Sequence, residues 1–285
     1  MPEILRTLRV GLWVLAAGVS ALTPGTAGEG EQRDDLLRHG QQVYQANCAF
    51  CHGAGGDGQG MMGHMMRTQP RDFSRGTFKF RSTPTGSLPR DEDLFRTVGE
   101  GLRGTAMIGQ GDLPEPDRWA VVQYVKSLSP RFRQELPGPP VPIPPAPPRT
   151  EEQATAGKEL YRDAECWKCH GEGGRGDGPS AERLRDEWGF PALPADLTRR
   201  PLKRANAPED LYRVLVTGLD GTPMPSYREA LAPGEVWALV YYLESLVTKV
   251  FPADVAIGDE GMGRMALRMH RGGGGMGGQA PPVRP

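Results

Sequence analysis

Cysteine is scarce in this chain: 285 residues hold four. A disulfide framework has no use for them as two three-residue steps, and a chain of this length can bury two ordinary cores without such staples. A charge excess of either sign is also missing. Thirty-four basic residues stand against thirty-five acidic ones, a formal net charge of −1. Nothing therefore points to nucleic acid or to an acidic membrane surface, and any charge-guided docking must use local patches. The N-terminal apolar run, Val10 to Leu22, covers thirteen residues, short of the roughly eighteen to twenty that a membrane-spanning helix needs. No βαβ pattern is visible, which argues against a thioredoxin-like redox pair. The glycines at Gly53, Gly55 and Gly56, and at Gly171, Gly173 and Gly174, follow no strand and lead into no Lys-Ser/Thr ending. They permit tight backbone passage rather than a phosphate cradle.

What the chain does have is Cys48-Ala49-Phe50-Cys51-His52 and, again, Cys166-Trp167-Lys168-Cys169-His170, which together use every cysteine. Two thiols three positions apart with an imidazole after the second form a c-type haem attachment pattern. The thiols add to the haem vinyl groups as thioethers, and the histidine reaches the iron from the proximal side. A structural zinc site wants four ligands converging on one metal and gives no reason for a histidine directly after each pair. The expectation is two covalently bound haem c groups, attached at Cys48, Cys51, Cys166 and Cys169, with His52 and His170 as iron ligands.

At the N-terminus, Arg6 and Arg9 precede the apolar run, and the small residues Gly25, Thr26 and Ala27 precede Glu29 and Glu31. This is the anatomy of a secretory signal spanning residues 1–27, with cleavage near Ala27. The competing reading is an uncleaved anchor, which would associate the chain with a membrane. Either way the body is exported, which suits a bacterial periplasm.

The two motifs sit inside a repeat. Gly40-Gln41-Gln42-Val43-Tyr44 answers to Gly157-Lys158-Glu159-Leu160-Tyr161, and Arg71-Asp72-Phe73-Ser74 to Ala195-Asp196-Leu197-Thr198. Further on, Glu92 to Arg96 answers to Glu209 to Arg213, Gly101 to Met107 to Gly218 to Met224, and Trp119 to Leu128 to Trp237 to Leu246. Each half is expected to be one complete domain, at 30–133 and 150–250. Thr150 and Gln153 predict a capping box opening a helix; Pro208, Glu209 and Asp210 predict another, ended by Gly218. Trp119, Val122, Val125 and Leu128, like Trp237, Val240, Leu243 and Leu246, recur at helical spacing and read as core. Gly40 and Gly157 would let the first helix of each half approach the last closely. Between the halves, residues 134–149 are proline-rich and predict a semi-rigid polyproline II spacer. They leave open whether the halves pack together. Residues 251–285 form a Gly, Met and Arg tail expected to be disordered; Met262, Met265, Met269 and His270 there are soft donors without fixed geometry. His39 reads as a surface residue.

Each half resembles a class I type cytochrome c domain, so the chain resembles a tandem di-haem cytochrome c, all-α, with two domains joined by the proline-rich linker. The resemblance implies that a methionine from a loop before the final helix is the second axial ligand: Met107 in the first half and Met224 in the second. Pro223 and Pro225 restrict the loop around Met224, whereas Met107 is flanked by Ala106 and Ile108. The stretch Gly60-Met61-Met62-Gly63-His64-Met65-Met66 reads as a flexible surface loop outside the repeat register, although any of its four methionines or His64 could reach iron. The function implied is an exported carrier passing single electrons from a redox donor to an acceptor such as an oxidase or reductase. The alternatives are a haem peroxidase or a sulfur- or nitrogen-compound oxidoreductase, which needs an open position at iron, and a cytochrome subunit of a larger oxidoreductase complex. No acid/base pair stands beside either motif.

Overall fold

The computed structural model describes residues 27–66 and 68–251. The signal-like segment before Ala27 and the tail after Phe251 lie outside the described residues. In the first half α1 (Ala27–Asn47), α2 (Ala49–His52), α3 (Asp91–Glu100), α4 (Glu115–Ser127) and α5 (Arg131–Gln134) follow one another; in the second, α6 (Glu151–Asp163), α7 (Trp167–His170), α8 (Pro208–Thr217) and α9 (Pro233–Ser245). Two two-residue strands, β1 (Arg199–Arg200) and β2 (Lys249–Val250), pair in parallel. The fold is all-α.

The helix boundaries follow local chemistry. Thr150 caps α6 by accepting from the Gln153 backbone N–H at 3.2 Å. The reciprocal half of the capping box is absent, because the Gln153 side-chain oxygen is buried without a hydrogen-bond partner. In α8, Pro208 occupies the first turn with Glu209 and Asp210, where acids complement the helix dipole. Gly218 closes it with an N–H bond to Val214 O at 2.9 Å.

In each half the first long helix crosses the last, α1 on α4 and α6 on α9. The crossings are close enough to exclude any side chain at one point: a Cβ at Gly40 would stand 2.1 Å from the carbonyl oxygen of Ala120, and one at Gly157 2.0 Å from that of Ala238. Tyr44 and Tyr124 flank the first crossing with ring centroids 5.1 Å apart, Tyr161 and Tyr242 the second at 5.3 Å. The helical stripes are core as expected, with Val122, Val125, Trp237, Val240 and Leu243 all buried. Trp119 is only half-buried and stacks on Phe95 at 4.0 Å.

α9 is buried at every residue from Val236 to Leu243, far more than one amphipathic stripe would account for. The linker explains this. It lies along the outer face of α9, where the Trp237 indole donates to Pro144 O at 3.2 Å and the Tyr241 hydroxyl donates to Pro147 O. Val141 is buried and donates its backbone N–H to Ser82 O of the first half at 2.7 Å. The proline-rich stretch is thus a strap bonded to both halves rather than a free spacer.

The halves also meet directly. Arg96 of α3 makes a bidentate pair with Asp210 of α8 at 2.8 and 3.1 Å, and Arg204 reaches Glu100 at 2.8 Å. Arg81 pairs with Asp220 at 2.8 Å, and Asp220 also accepts from the Thr85 hydroxyl and the Gly86 N–H, each at 2.8 Å.

Candidate cofactor sites

Both Cys-x-x-Cys-His motifs form a single helical turn. His52 N–H bonds Cys48 O and His170 N–H bonds Cys166 O, each at 2.9 Å, and three-residue spacing on a helical turn places the two thiols on one side. A tyrosine from the preceding helix fixes the end of each turn: Tyr44 donates to Gly53 O at 2.8 Å and Tyr161 to Gly171 O at 2.7 Å. Burial pushes the Cys48 thiol up to about 12, with the Cys51 charge adding to it. Burial also raises Cys51 and Cys166.

Each histidine is oriented by a backbone carbonyl. His52 Nδ1 lies 3.1 Å from Arg71 O and His170 Nδ1 lies 3.0 Å from Ala195 O. A carbonyl only accepts, so Nδ1 carries the proton and Nε2 is left with its lone pair, the arrangement a metal-ligating imidazole needs. Burial lowers His52 to about 4 despite its bond to Arg71 O, the nearby Arg71 charge acting in the same direction. Burial likewise lowers His170.

The repeat pair Arg71 to Ser74 and Ala195 to Thr198 supplies these carbonyls. Asp72 accepts from the Ser74 N–H and hydroxyl at 2.8 and 2.6 Å; Asp196 accepts from those of Thr198 at 3.0 and 2.6 Å. Phe73 N–H and Leu197 N–H tie the same loop to Gly56 O and Gly174 O at 2.7 and 2.6 Å. Sequence comparison of the halves singles out these residues, but their task of aiming the carbonyl at the histidine emerges only from the fold.

The methionine loops are built alike. Met107 N–H bonds the Thr105 hydroxyl at 3.1 Å while Leu102 N–H bonds Met107 O at 2.9 Å; Met224 N–H bonds the Thr222 hydroxyl at 3.2 Å while Leu219 N–H bonds Met224 O at 3.1 Å. The threonine two residues before each methionine holds the loop in both halves, with prolines added only in the second. Cys166, Cys169, His170 and Met224 line one cavity of about 560 Å³, which also takes in apolar Leu197, Leu215, Leu239 and Leu243. Its volume, apolar walls and two thiols beside an imidazole and a thioether fit a covalently attached haem.

The stretch from Gly60 to Met66 departs from expectation. It lies in the repeat register: Met62 N–H bonds Phe50 O at 3.1 Å as Ser180 N–H bonds Lys168 O at 2.9 Å. A 3₁₀ turn follows in each half, Gly63–Met65 and Ala181–Arg183. Met62 and Met66 are buried with Ala106 against Cys51, while Met61 and Met65 are exposed. The segment is therefore a wall of the first site rather than a loose loop. By register Met66 matches Leu184, which lines the cavity of the second site. His39 is an exposed partner of Asp117 at 2.8 Å. Among the described residues no three His, Cys, Asp or Glu side chains converge on one point.

The comparisons with known proteins divide the chain at the same place as the repeat. Residues 35–125 match the family model "Cytochrome C oxidase, cbb3-type, subunit III", and residues 154–247 match the model "Cytochrome c". A chain of the reducing HAO-like protein complex of Kuenenia stuttgartiensis shares 45% identity and superposes with a TM-score of 0.73, covering 74% of this chain and 96% of that one. The chain belongs to the tandem di-haem c-type cytochromes. Curated relatives are the cbb3-type cytochrome c oxidase subunit CcoP of Azospirillum brasilense, 28% identical over 80% of this chain and 69% of its own length, and subunit FixP of Azorhizobium caulinodans, 26% identical over 76% and 63%. As a di-haem cytochrome c the protein carries two covalently bound haem c groups, whose irons each take up and release one electron. No helix among the described residues is long and apolar enough to cross a membrane.

Proposed function

We propose that this cytochrome is a periplasmic electron-transfer subunit that accepts single electrons from one redox protein and hands them to another within a larger oxidoreductase assembly. Cys48 and Cys51 would hold the first haem and Cys166 and Cys169 the second, with His52 and Met107 as the iron ligands in one site and His170 and Met224 in the other. The observation that carries this reading is the repetition of one site geometry, down to the carbonyl behind each histidine and the threonine behind each methionine. Thioether ligation favours the softer ferrous iron and so raises the potential relative to two histidines. In such a site the chain's residues only hold, orient and shield, which suits a carrier rather than a catalyst. Two of the matched relatives are named as oxidase subunits and the matched structure as a complex, which supports a place inside an assembly. The signal-like N-terminus supports export.

The test is the absorption spectrum of the purified oxidised and reduced protein with a haem count per chain. Two haems, two equivalents of the weak far-red sulfur-to-iron band and no carbon monoxide binding to the reduced form are expected. Carbon monoxide binding at one iron would overturn the carrier assignment for that site, and a haem-free chain would overturn the whole reading.

A further inference from the structure

The cavity of the second site is not closed by the second half alone. Arg71 and Lys79 of the first half stand in its wall, beside Lys203 of the second. Lys79 and Lys203 are equivalent positions in the repeat, each six residues after Phe73 or Leu197. Arg75 and Arg204 line it too, paired with Asp72 at 3.8 Å and Glu100 at 2.8 Å, so five cations gather at one interdomain cavity, and burial with the charges of Arg71 and Lys203 brings Lys79 down to about 8.

The charges of Glu187, Asp186, Asp72 and Asp220 act on Arg71 and offset part of this excess, but among the described residues no carboxylate hydrogen-bonds Arg71 or Lys79. Asp72 accepts from Ser74 and, at 3.4 Å, from the Trp188 indole; Asp186 accepts from the backbone N–H groups of Trp188 and Phe190 at 3.1 and 2.9 Å. Arg71 lies with its guanidinium carbon 4.0 Å above the Trp188 ring, and its Nη1 is buried without a hydrogen-bond partner. A buried like-charge group with an unsatisfied donor is unfavourable by itself and becomes favourable once an anion with several acceptor oxygens enters. Haem brings such groups, since each carries two propionate carboxylates at the edge away from its thioether attachments.

We propose that Arg71 and Lys79, together with Lys203, hold the propionate carboxylates of the second half's haem, so that one half of the chain supplies part of the cofactor site of the other. The inference rests on the assignment of haem to the Cys166 to His170 site. It makes docking of the halves depend on the cofactor as well as on the ion pairs around it. It also gives the first half an influence on the potential of the second haem. A cation beside a propionate disfavours the extra positive charge of ferric iron, and removing it lowers the potential.

The experiment is spectroelectrochemical titration of the holoprotein carrying Lys79→Met, Arg71→Met or Lys79→Arg, with the haem number per chain measured by mass. The expected result is two haems in every variant and a lowered midpoint in Lys79→Met and Arg71→Met. The reduced-to-oxidised ratio at the wild-type midpoint should fall about threefold or more, and Lys79→Arg should stay near wild type. Two haems with the midpoint of the second haem, assigned as the one that moves in Met224→Ala, unmoved in Lys79→Met and Arg71→Met would overturn the inference, whatever the first haem does. Absence of haem from the wild-type protein would instead overturn the assignment beneath it.

Discussion

Arg81 of the first half donates to Asp220 of the second across 2.8 Å with its side chain wholly shielded from solvent, and gives the same nitrogen to Thr217 O at 2.8 Å. Asp220→Ala leaves that guanidinium buried and without its carboxylate, and loss of one partner of a buried pair costs about 3–5 kcal/mol. The expected outcome is that one cooperative thermal transition splits into two as the halves unfold separately. Calorimetry of the holoprotein checks it, and a single unsplit transition at the wild-type temperature would count against the pair as the clasp between halves.

Gly40→Ala and Gly157→Ala each drive a methyl group into a carbonyl oxygen of the opposing helix. Overpacking of this kind costs about 1–3 kcal/mol, and for a chain of this size each kcal/mol lowers the melting temperature by about 2–4 °C. Both variants should melt earlier by comparable amounts, measured by circular dichroism, because the two crossings are equally tight.

The two halves should respond alike to loss of their loop methionines. Met107→Ala and Met224→Ala are each expected to remove one equivalent of the far-red sulfur-to-iron band and to open one iron to carbon monoxide. Met66→Leu, which restores the residue found at the matching position of the second half, should leave both equivalents in place. Loss of a band in Met66→Leu with none in Met107→Ala would reassign the first ligand to the Met62 and Met66 wall.

Acid should loosen the interface between α3 and α8. Burial pushes the Asp210 carboxyl up, but the two hydrogen bonds and charge of Arg96, an N–H bond and Arg204 together hold it below its usual value. A carboxyl lowered in the folded state contributes stability that is full above its unfolded value, about 3.9, and is lost as pH falls through the folded value. Urea midpoints should therefore drop more steeply below about pH 4 in the wild type than in Asp210→Asn, and equal slopes would remove Asp210 from the account.

The helices and the attachment turns were legible in the sequence because each is set by residues within a few positions of one another, and the repeat because the same short patterns return in the same order in the second half. The strap was not. Proline-rich composition reports backbone stiffness, and only the fold shows that the carbonyls of Pro144 and Pro147 meet donors on Trp237 and Tyr241 some ninety positions later. Met66 was misjudged for a related reason: four methionines close together suggest a loose loop, while the ungapped spacing from Cys51 to Gly60 and from Cys169 to Gly178 shows a continuous register. The interdomain ion pairs carry no periodicity at all, and charge totals near zero conceal them.

The two halves also differ in length, and at different places. Four residues separate Met66 from Arg71 where ten separate Leu184 from Ala195, and eleven separate Phe80 from Glu92 where four separate Arg204 from Glu209. The extra residues of the second half bring Trp188 onto Arg71 and Asp72, and those of the first bring Thr85 and Gly86 onto Asp220. Each insertion ends on the other copy, so the duplication has become a handed pair whose members cannot replace one another. Replacing either half by a copy of the other would leave its insertion with nothing to meet.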